Sequence, residues 1–519
     1  MSAAGPLRAG QDSERGSARS RGLGLTLGPL LFAALMLLPG LPLDRPQRAA
    51  AAVTALTACL WTTLALPLAV TALLPAVLFP LLGVLSSKEI APCYMHELVL
   101  LFLGAFMIAL GLERWGVQRR IALGIVLRIG SSPRALCLGF MVAAAFLSMW
   151  ISNTATTLLL LPIALAAVAA VGGEGEATDP SLADFAPCLL LGVAYSASIG
   201  GTATLVGTAP NLAFLSIWND GFGERYGAID FGSWMLAWLP LTLLFVPAAW
   251  LLLTRVLFRV PKRAPGEGET RELLERQRAQ LGPWRREELW MVGVFALTAL
   301  LWTTRRDLDF GFVQIPGWSR WLADPASVGD STVALALATL LFLLPARERS
   351  APGERGERTW LLTWRTAERL PWEVLLLFGG GFAIAKAFEV TGLAAVLGEG
   401  LSPWLEGRAT WIVVLATALF LSFLTEVTSN TATTFVLLPI AAEGARAAGI
   451  HPLVVMMPAT IAASLAFMLP VATPPNAVVT ASRLVPPPLM ARVGFKLNLL
   501  GVALVTIVFH FWVGPRLLG

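Results

Sequence analysis

The sequence predicts an all-α polytopic membrane protein with about eleven transmembrane helices and two re-entrant hairpins, arranged as an inverted repeat. Three observations predict it. Apolar residues make up 56% of the 519 and charged residues only 14%, too little charge to cover a soluble surface of that size. Apolar runs recur that are long enough to cross a hydrocarbon core of ~30 Å. Two of those runs are broken at the centre by the same polar motif, and the context around the motif is duplicated.

The first 21 residues are polar and rich in Gly, Ser and Arg, and read as a disordered cytoplasmic tail. Leu23–Leu43 is long for a signal-peptide core and has no clear cleavage site, so it reads as a retained first helix. Further apolar segments follow at Ala49–Leu66, Ala69–Leu85, Leu98–Leu112, Phe185–Trp218, Trp234–Val260, Leu289–Thr303, Thr332–Leu344, Val374–Phe388, Val454–Ala481 and Val493–Val513. Ala135–Val171 and Thr410–Ala448 are the two broken stretches. Each is read as a hairpin that enters and leaves on one side.

Charge placement sets the orientation. Pro261–Glu288 carries Lys262, Arg263, Arg271, Arg276, Arg278, Arg285 and Arg286, and Pro345–Glu373 carries six more arginines. One helix pair separates them, so both lie on one side, which the positive-inside rule makes cytoplasmic. The N-terminus is then cytoplasmic and the C-terminus outside. TRELLERQRAQ within Pro261–Glu288 reads as an amphipathic or solvated structural helix. The net charge of +5 serves this loop bias and is no nucleic-acid signal. Cys59, Cys93, Cys137 and Cys188 show no metal or disulfide spacing. His96, His451 and His510 fall at helix ends or near the C-terminus, where a structural role is expected.

The repeat is explicit. SNTATTLLLLPIA at Ser152–Ala164 returns as SNTATTFVLLPIA at Ser429–Ala441, identical at eleven of thirteen positions. Upstream, Glu97–Gly116 matches Glu373–Gly392. Downstream, VGTAPN at Val206–Asn211 matches VATPPN at Val471–Asn476. The odd number of crossings between the two copies inverts the second. The resulting organisation is a tail at 1–21, N-terminal helices at 22–96 and a first repeat at 97–260 with its hairpin at 135–171. A linker at 261–288 and connecting helices at 289–372 lead to a second repeat at 373–519 with its hairpin at 410–448.

Inverted repeats place small-molecule and ion sites at their interface, on interrupted helices. One SNT alone reads as an ordinary helix N-cap; two in matched context read as a site. Ser152, Asn153, Ser429 and Asn430 offer neutral oxygens that suit a hard cation. Each helix starting after a tip points its positive end at the site. Gly207, Pro210, Pro474 and Pro475 break the partner helices and free carbonyls, while Thr208 and Thr473 offer hydroxyls to an anion. No Arg or His lies in the four motif segments, so an anion there needs a co-bound cation. Glu426 and Lys386 are intramembrane charges: they read either as a pair that locks the second hairpin to its neighbouring helix or, for Lys386, as a snorkelling side chain. Neither HExxH nor GxSxG occurs, which argues against a membrane enzyme.

The two SNT motifs followed by GTAPN and ATPPN resemble the divalent anion/sodium symporter family, the INDY-like sodium-coupled dicarboxylate transporters, over most of the chain after Ala50. The resemblance implies a homodimer in which a transport domain moves against a scaffold as an elevator. It also implies co-transported Na⁺, a small divalent anion as substrate and no organic cofactor. The first Na⁺ site would use Ser148, Ser152, Asn153 and Gly207; the second would use Thr425, Thr428, Asn430, Ala472 and Pro474. Substrate carboxylates would meet Asn153, Thr154, Thr208, Asn430, Thr431 and Thr473. Thr428 and Ala209 depart from the family pattern, Thr428 at a position that acts through its carbonyl. A C4-dicarboxylate such as succinate, malate or fumarate is the expected substrate. Sulfate, citrate and sodium-independent dicarboxylate exchange are the alternatives. A low Lys-to-Arg ratio and the lack of an N-x-S/T acceptor point to a bacterial plasma membrane.

Overall fold

The computed structural model describes residues 5–171, 182–309, 314–325, 327–348 and 357–518, over residues 5–20 by backbone alone. It opens with α1 (Gly5–Leu37) and α2 (Arg45–Thr63), which pack together. The tail expected to be disordered is therefore helical from Gly5. Extending a helix already nucleated by the apolar run costs little per residue. The segment expected at Ala69–Leu85 is two short helices, α3 (Leu68–Ala72) and α4 (Leu74–Leu81). Pro75 has no N–H to return to the preceding turn, and the helix breaks at Leu73. α5 (Ser87–Tyr94) follows, started by a capping box between Ser86 and Glu89.

A first run of helices then comprises α6 (Glu97–Trp115), α7 (Val117–Ile129), α8 (Pro133–Ser148), α9 (Asn153–Val171), α10 (Phe185–Gly201), α11 (Ala209–Gly221), α12 (Gly223–Tyr226) and α13 (Phe231–Leu251). The connecting region holds α14 (Glu267–Ala279), α15 (Arg286–Thr303), α16 (Asp330–Leu341) and α17 (Trp364–Ala367). It also contains two small antiparallel ladders, β1 (Leu308–Asp309) with β2 (Gln314–Ile315) and β3 (Pro345–Arg347) with β4 (Arg358–Trp360). These are the one departure from an all-α fold among the described residues.

The second run repeats the first. α18 (Trp372–Thr391), α19 (Leu393–Leu405), α20 (Thr410–Leu424), α21 (Asn430–Ala447), α22 (Leu453–Ala463), α23 (Pro474–Ala481) and α24 (Pro487–Val508) succeed one another as α6–α11 and α13 do, and α25 (Gly514–Leu517) ends the chain. Even the endings match. α13 and α24 each run on into a π-helical turn, Leu252–Leu257 and Phe509–Val513. α7 and α19 have no counterpart among the expected segments. Each is entered through a glycine at positive φ, Gly116 at 74° and Gly392 at 68°. A residue with a Cβ is disfavoured there, and the elbow lets a long helix turn into a short one within a single residue.

Among the described residues, five helical stretches are long and apolar enough to cross a membrane, and seven shorter apolar helices of 10–17 residues accompany them. The core is built from the interrupted helices. Every residue from Cys188 to Gly201 in α10 and from Leu453 to Ala463 in α22 is buried. A helix apolar all round has to be enclosed by its neighbours. Small residues allow the close approach: a Cβ at Gly200 would lie 2.2 Å from the Ala145 carbonyl of α8.

Candidate functional site

The hairpins α8–α9 and α20–α21 are interrupted at Met149–Ser152 and Thr425–Ser429. The partner helices α10–α11 and α22–α23 unwind over Thr202–Thr208 and Ser464–Thr473. The two halves exchange these pieces. α11 packs on α21 and α22 of the second half, and α23 packs on α9 and α10 of the first. Helices that begin at the motifs of one half are thereby packed against the hairpin and broken helix of the other.

At the first tip the Asn153 amide nitrogen lies against Ser148 Oγ, Ala197 O at 3.1 Å and Gly207 O at 3.3 Å. A Cβ on Gly201 would meet that amide at 2.6 Å, and one on Gly207 would meet Gly201 O at 2.5 Å. Only glycines let the unwound chain come this close to the hairpin. Ser148, Asn153 and Gly207 of the expected first cation set are thus in direct contact. Ser152 is exposed, and its hydroxyl accepts the N–H of Ala155 at 3.2 Å.

At the second tip the Asn430 side-chain oxygen is buried and receives no hydrogen bond. A buried carbonyl oxygen without a donor is costly and is the kind of ligand a Na⁺ ion takes. Thr425, fully buried, donates its hydroxyl to Leu421 O at 2.9 Å. The hydroxyl of Thr428 bonds Leu424 O at 2.9 Å and meets Thr433 Oγ1 at 2.7 Å. Ser429 caps α21 through the Ala432 N–H. Both SNT serines therefore cap helices, which leaves the second lone pair of each hydroxyl free to face a cation.

Thr208 and Thr473 are the N-caps of α11 and α23, with nearly equal backbone angles (φ −148°, ψ 146° and φ −140°, ψ 146°). Thr473 Oγ1 accepts from Asn476 N, while no side-chain cap bond forms at Thr208. Thr154 and Thr431 stand one residue into α9 and α21. Four helix N-termini, those of α9, α11, α21 and α23, thus start at the residues expected to meet an anion, and none of the four motif segments contains Lys, Arg or His. Ala472 and Pro474 flank Thr473.

Three residues escaped the sequence reading. Asn211 and Asn476, each fully buried at the last position of its motif, brace the two unwound segments. Asn211 Nδ2 donates to Gly201 O (3.1 Å) and Thr204 O (2.7 Å), and Asn476 Nδ2 to Ala466 O (3.1 Å) and Leu469 O (3.0 Å). Asn498 of α24 is the third. It donates to Glu426 Oε1 at 2.7 Å, and it corrects the expected Glu426–Lys386 pair. Lys386 instead pairs with Glu389 at 3.0 Å on an exposed surface. Glu426 accepts the N–H groups of Phe467 (2.7 Å), Met468 (2.9 Å) and Leu469 (3.0 Å). A carboxylate among four N–H donors is compensated without a cationic side chain.

The model of the sodium:sulfate symporter transmembrane region matches residues 25–517. The chain belongs to that family, the divalent anion/sodium symporters. It is 38% identical over 499 residues to the sodium-dependent dicarboxylate transporter SdcS of Staphylococcus saprophyticus, covering 95% of this chain and 92% of that protein. SdcS of Staphylococcus aureus is 40% identical over 502 residues, with 96% and 92% covered. Among solved structures, the Alcanivorax borkumensis YdaH transporter superposes with a TM-score of 0.50 at 12% identity, over 91% of this chain and 99% of that one. That likeness concerns the fold alone. The chain is a multi-pass transmembrane member of a transporter family and not an enzyme.

Proposed function

We propose that this protein couples inward Na⁺ movement to uptake of a small divalent anion, in the first place a C4-dicarboxylate such as succinate, malate or fumarate. The observation that carries the reading is the paired site. Two hairpin tips offer neutral oxygens, Ser148, Asn153 and Gly207 O at one and Thr425, Thr428 and Asn430 at the other. Four helix N-termini start beside them. Those positive ends hold part of a dianion's charge, and bound Na⁺ supplies the rest where no basic side chain does. The dicarboxylate specificity named for the staphylococcal relatives supports the substrate class.

The assignment includes eleven crossings, an inverted second half, the N-terminus in the cytoplasm and the C-terminus outside, in a bacterial plasma membrane. Residues 22–96 and 289–372 serve as scaffold, and the hairpins with the broken helices move as the transport domain of a homodimer. Asn153 and Asn430 serve both ion and substrate, so Na⁺ binding shapes the anion site and precedes it. The family description favours sulfate as the second reading.

Uptake of labelled succinate into proteoliposomes, with an inward Na⁺ gradient or with K⁺ in its place, tests the proposal. Uptake that requires Na⁺ is expected. Uptake indifferent to Na⁺ would make the protein an exchanger, and sulfate uptake without succinate uptake would make it a sulfate symporter.

A further inference from the structure

A cluster of buried charge lies outside the paired site and joins its helices to the connecting region. On one side Asp230 caps α13, accepting the Ser233 N–H at 2.9 Å and the Ser233 hydroxyl at 2.7 Å. On the other side Arg305, just after α15, binds the carboxylate of Asp330, the first residue of α16, through Nε. Its Nη1 donates to Val328 O at 3.3 Å, and Trp302 Nε1 donates to Asp330 O at 2.9 Å. Asp230, Arg305 and Asp330 are 6%, 7% and 8% exposed.

The contacts that cross between the two sides are longer. Asp230 Oδ2 stands 3.9 Å from Arg305 Nη2 and 3.6 Å from Arg306 Nε, and Asp330 Oδ2 accepts the Phe231 N–H at 3.2 Å. The backbones meet at Gly232, where a Cβ would lie 2.6 Å from Thr303 O. When the two sides part, Arg305 keeps Asp330, and Asp230 keeps Ser233 and its helix N-terminus. Neither side is left with an uncompensated buried charge, which is what makes an ordinary buried pair hard to open.

Asp230 is also tied to the anion site. Asn219 bonds Ile229 twice, Nδ2 to its carbonyl and Oδ1 from its N–H, each at 2.9 Å, and Trp218 Nε1 donates to Gly227 O at 2.9 Å. The loop before Asp230 is thereby fixed to α11, whose N-cap is Thr208. The second half has no counterpart to this acid. α24 takes the place of α13 there, its N-cap is Pro486, and no Asp or Glu occurs after Glu443.

We propose that Asp230 and the Arg305–Asp330 pair form a latch between transport domain and scaffold, closed in the conformation described here, which opens each time the transport domain moves. Because only one half carries it, the latch biases the resting protein toward this conformation. The inference rests on the moving-domain reading above.

The test measures the distance between spin labels at Leu158→Cys on α9 and Leu343→Cys beyond α16, both exposed positions, in the full-length protein in liposomes. Cys59 is replaced by Ala, and the other three cysteines are buried. Distances are recorded without ligand and with Na⁺ and succinate, for the intact latch, Asp230→Asn and Asp230→Ser. Both substitutions keep a cap on α13 and remove the charge. Without ligand, the distance of the described conformation is expected to dominate when the latch is intact. The ratio of a second distance to that one is expected to rise at least about fivefold in both variants. Should neither variant fold, Arg306→Glu decides by the same ratio, because it sets a like charge beside Asp230 from a half-exposed position. A ratio within about twofold of the intact latch, in a protein whose distances do respond to Na⁺ and succinate, overturns the proposal. A single distance that neither ligand nor variant alters would instead sink the moving-domain reading, so the two failures are distinguishable.

Discussion

Asn211 and Asn476 make the same pair of bonds at the same offsets, each donating its amide nitrogen to the carbonyls ten and seven residues before it. The acceptors are Gly201 O and Thr204 O in the first half and Ala466 O and Leu469 O in the second. An unwound segment inside a membrane protein must have its carbonyls satisfied internally, and here one side chain per half satisfies two of them.

Replacing either asparagine by alanine strips those donors from buried carbonyls. Each such group left unpaired costs about 1–3 kcal/mol. Asn211→Ala and Asn476→Ala are expected to lower the thermal midpoint of the purified protein by similar amounts and to suppress succinate uptake. A wild-type midpoint in either variant would show that the braces are dispensable.

Gly207→Ala tests the close approach at the first hairpin. Its Cβ would stand 2.5 Å from Gly201 O, a backbone atom that cannot move away cheaply. Overpacking of this kind costs about 1–3 kcal/mol. The expected outcome is a folded protein with Na⁺-dependent uptake reduced at least about tenfold, because the strain displaces the carbonyl proposed to bind Na⁺. Uptake at the wild-type rate would remove Gly207 O from the site.

Lys386 and Glu426, which the sequence reads either as a pair or with Lys386 snorkelling, should behave differently. Lys386 is 44% exposed and bonded to an exposed Glu389, a kind of pair that contributes about 0–1 kcal/mol. Lys386→Ala is expected to leave both stability and uptake within about twofold of wild type. A loss comparable to that of a Glu426 variant would restore the pairing.

Arg120 and Glu288 form an ion pair at 3.0 Å that ties α7 to the start of α15, with 8% and 1% exposure. Arg120 also donates to Gly282 O at 2.8 Å and Leu281 O at 3.1 Å. Removing one partner of a buried pair costs about 3–5 kcal/mol, and replacing both by apolar residues costs less. Arg120→Met and Glu288→Met should each lower the thermal midpoint more than the double variant does. Additive losses would contradict the buried pair.

How much of this was legible in the sequence depended on where the signal lay. The SNT tips and the GTAPN and ATPPN breaks stood out because polar residues interrupt apolar runs twice in the same order. The helices α7 and α19 did not: three arginines interrupt the apolar residues of α7, and Gly398, Glu399, Gly400 and Pro403 interrupt those of α19, so that neither 13-residue helix forms a long apolar run. Asn211 and Asn476 were inside the quoted motifs, but their partners are carbonyls of an unwound chain, which no residue type announces. Glu426 was mispaired for the same reason: its partners are backbone N–H groups more than forty residues away. The true partner of Lys386, three residues along its own helix, could have been read directly. The strands of the ladders β1–β2 and β3–β4 are only two or three residues long, too short for an alternating pattern to mark them.

The central claim is that both hairpin tips carry Na⁺ with the anion. The most direct test measures succinate-driven entry of radiolabelled Na⁺ in proteoliposomes of wild type, Asn153→Ala and Asn430→Ala, beside entry of labelled succinate in Na⁺ and in K⁺. Na⁺ held at both tips travels with the anion, so the account predicts that succinate drives Na⁺ entry in wild type, that K⁺ supports no succinate uptake, and that coupled entry is lost in both variants. Succinate uptake that brings no Na⁺ with it, or coupled entry that survives in either folded variant, would contradict it.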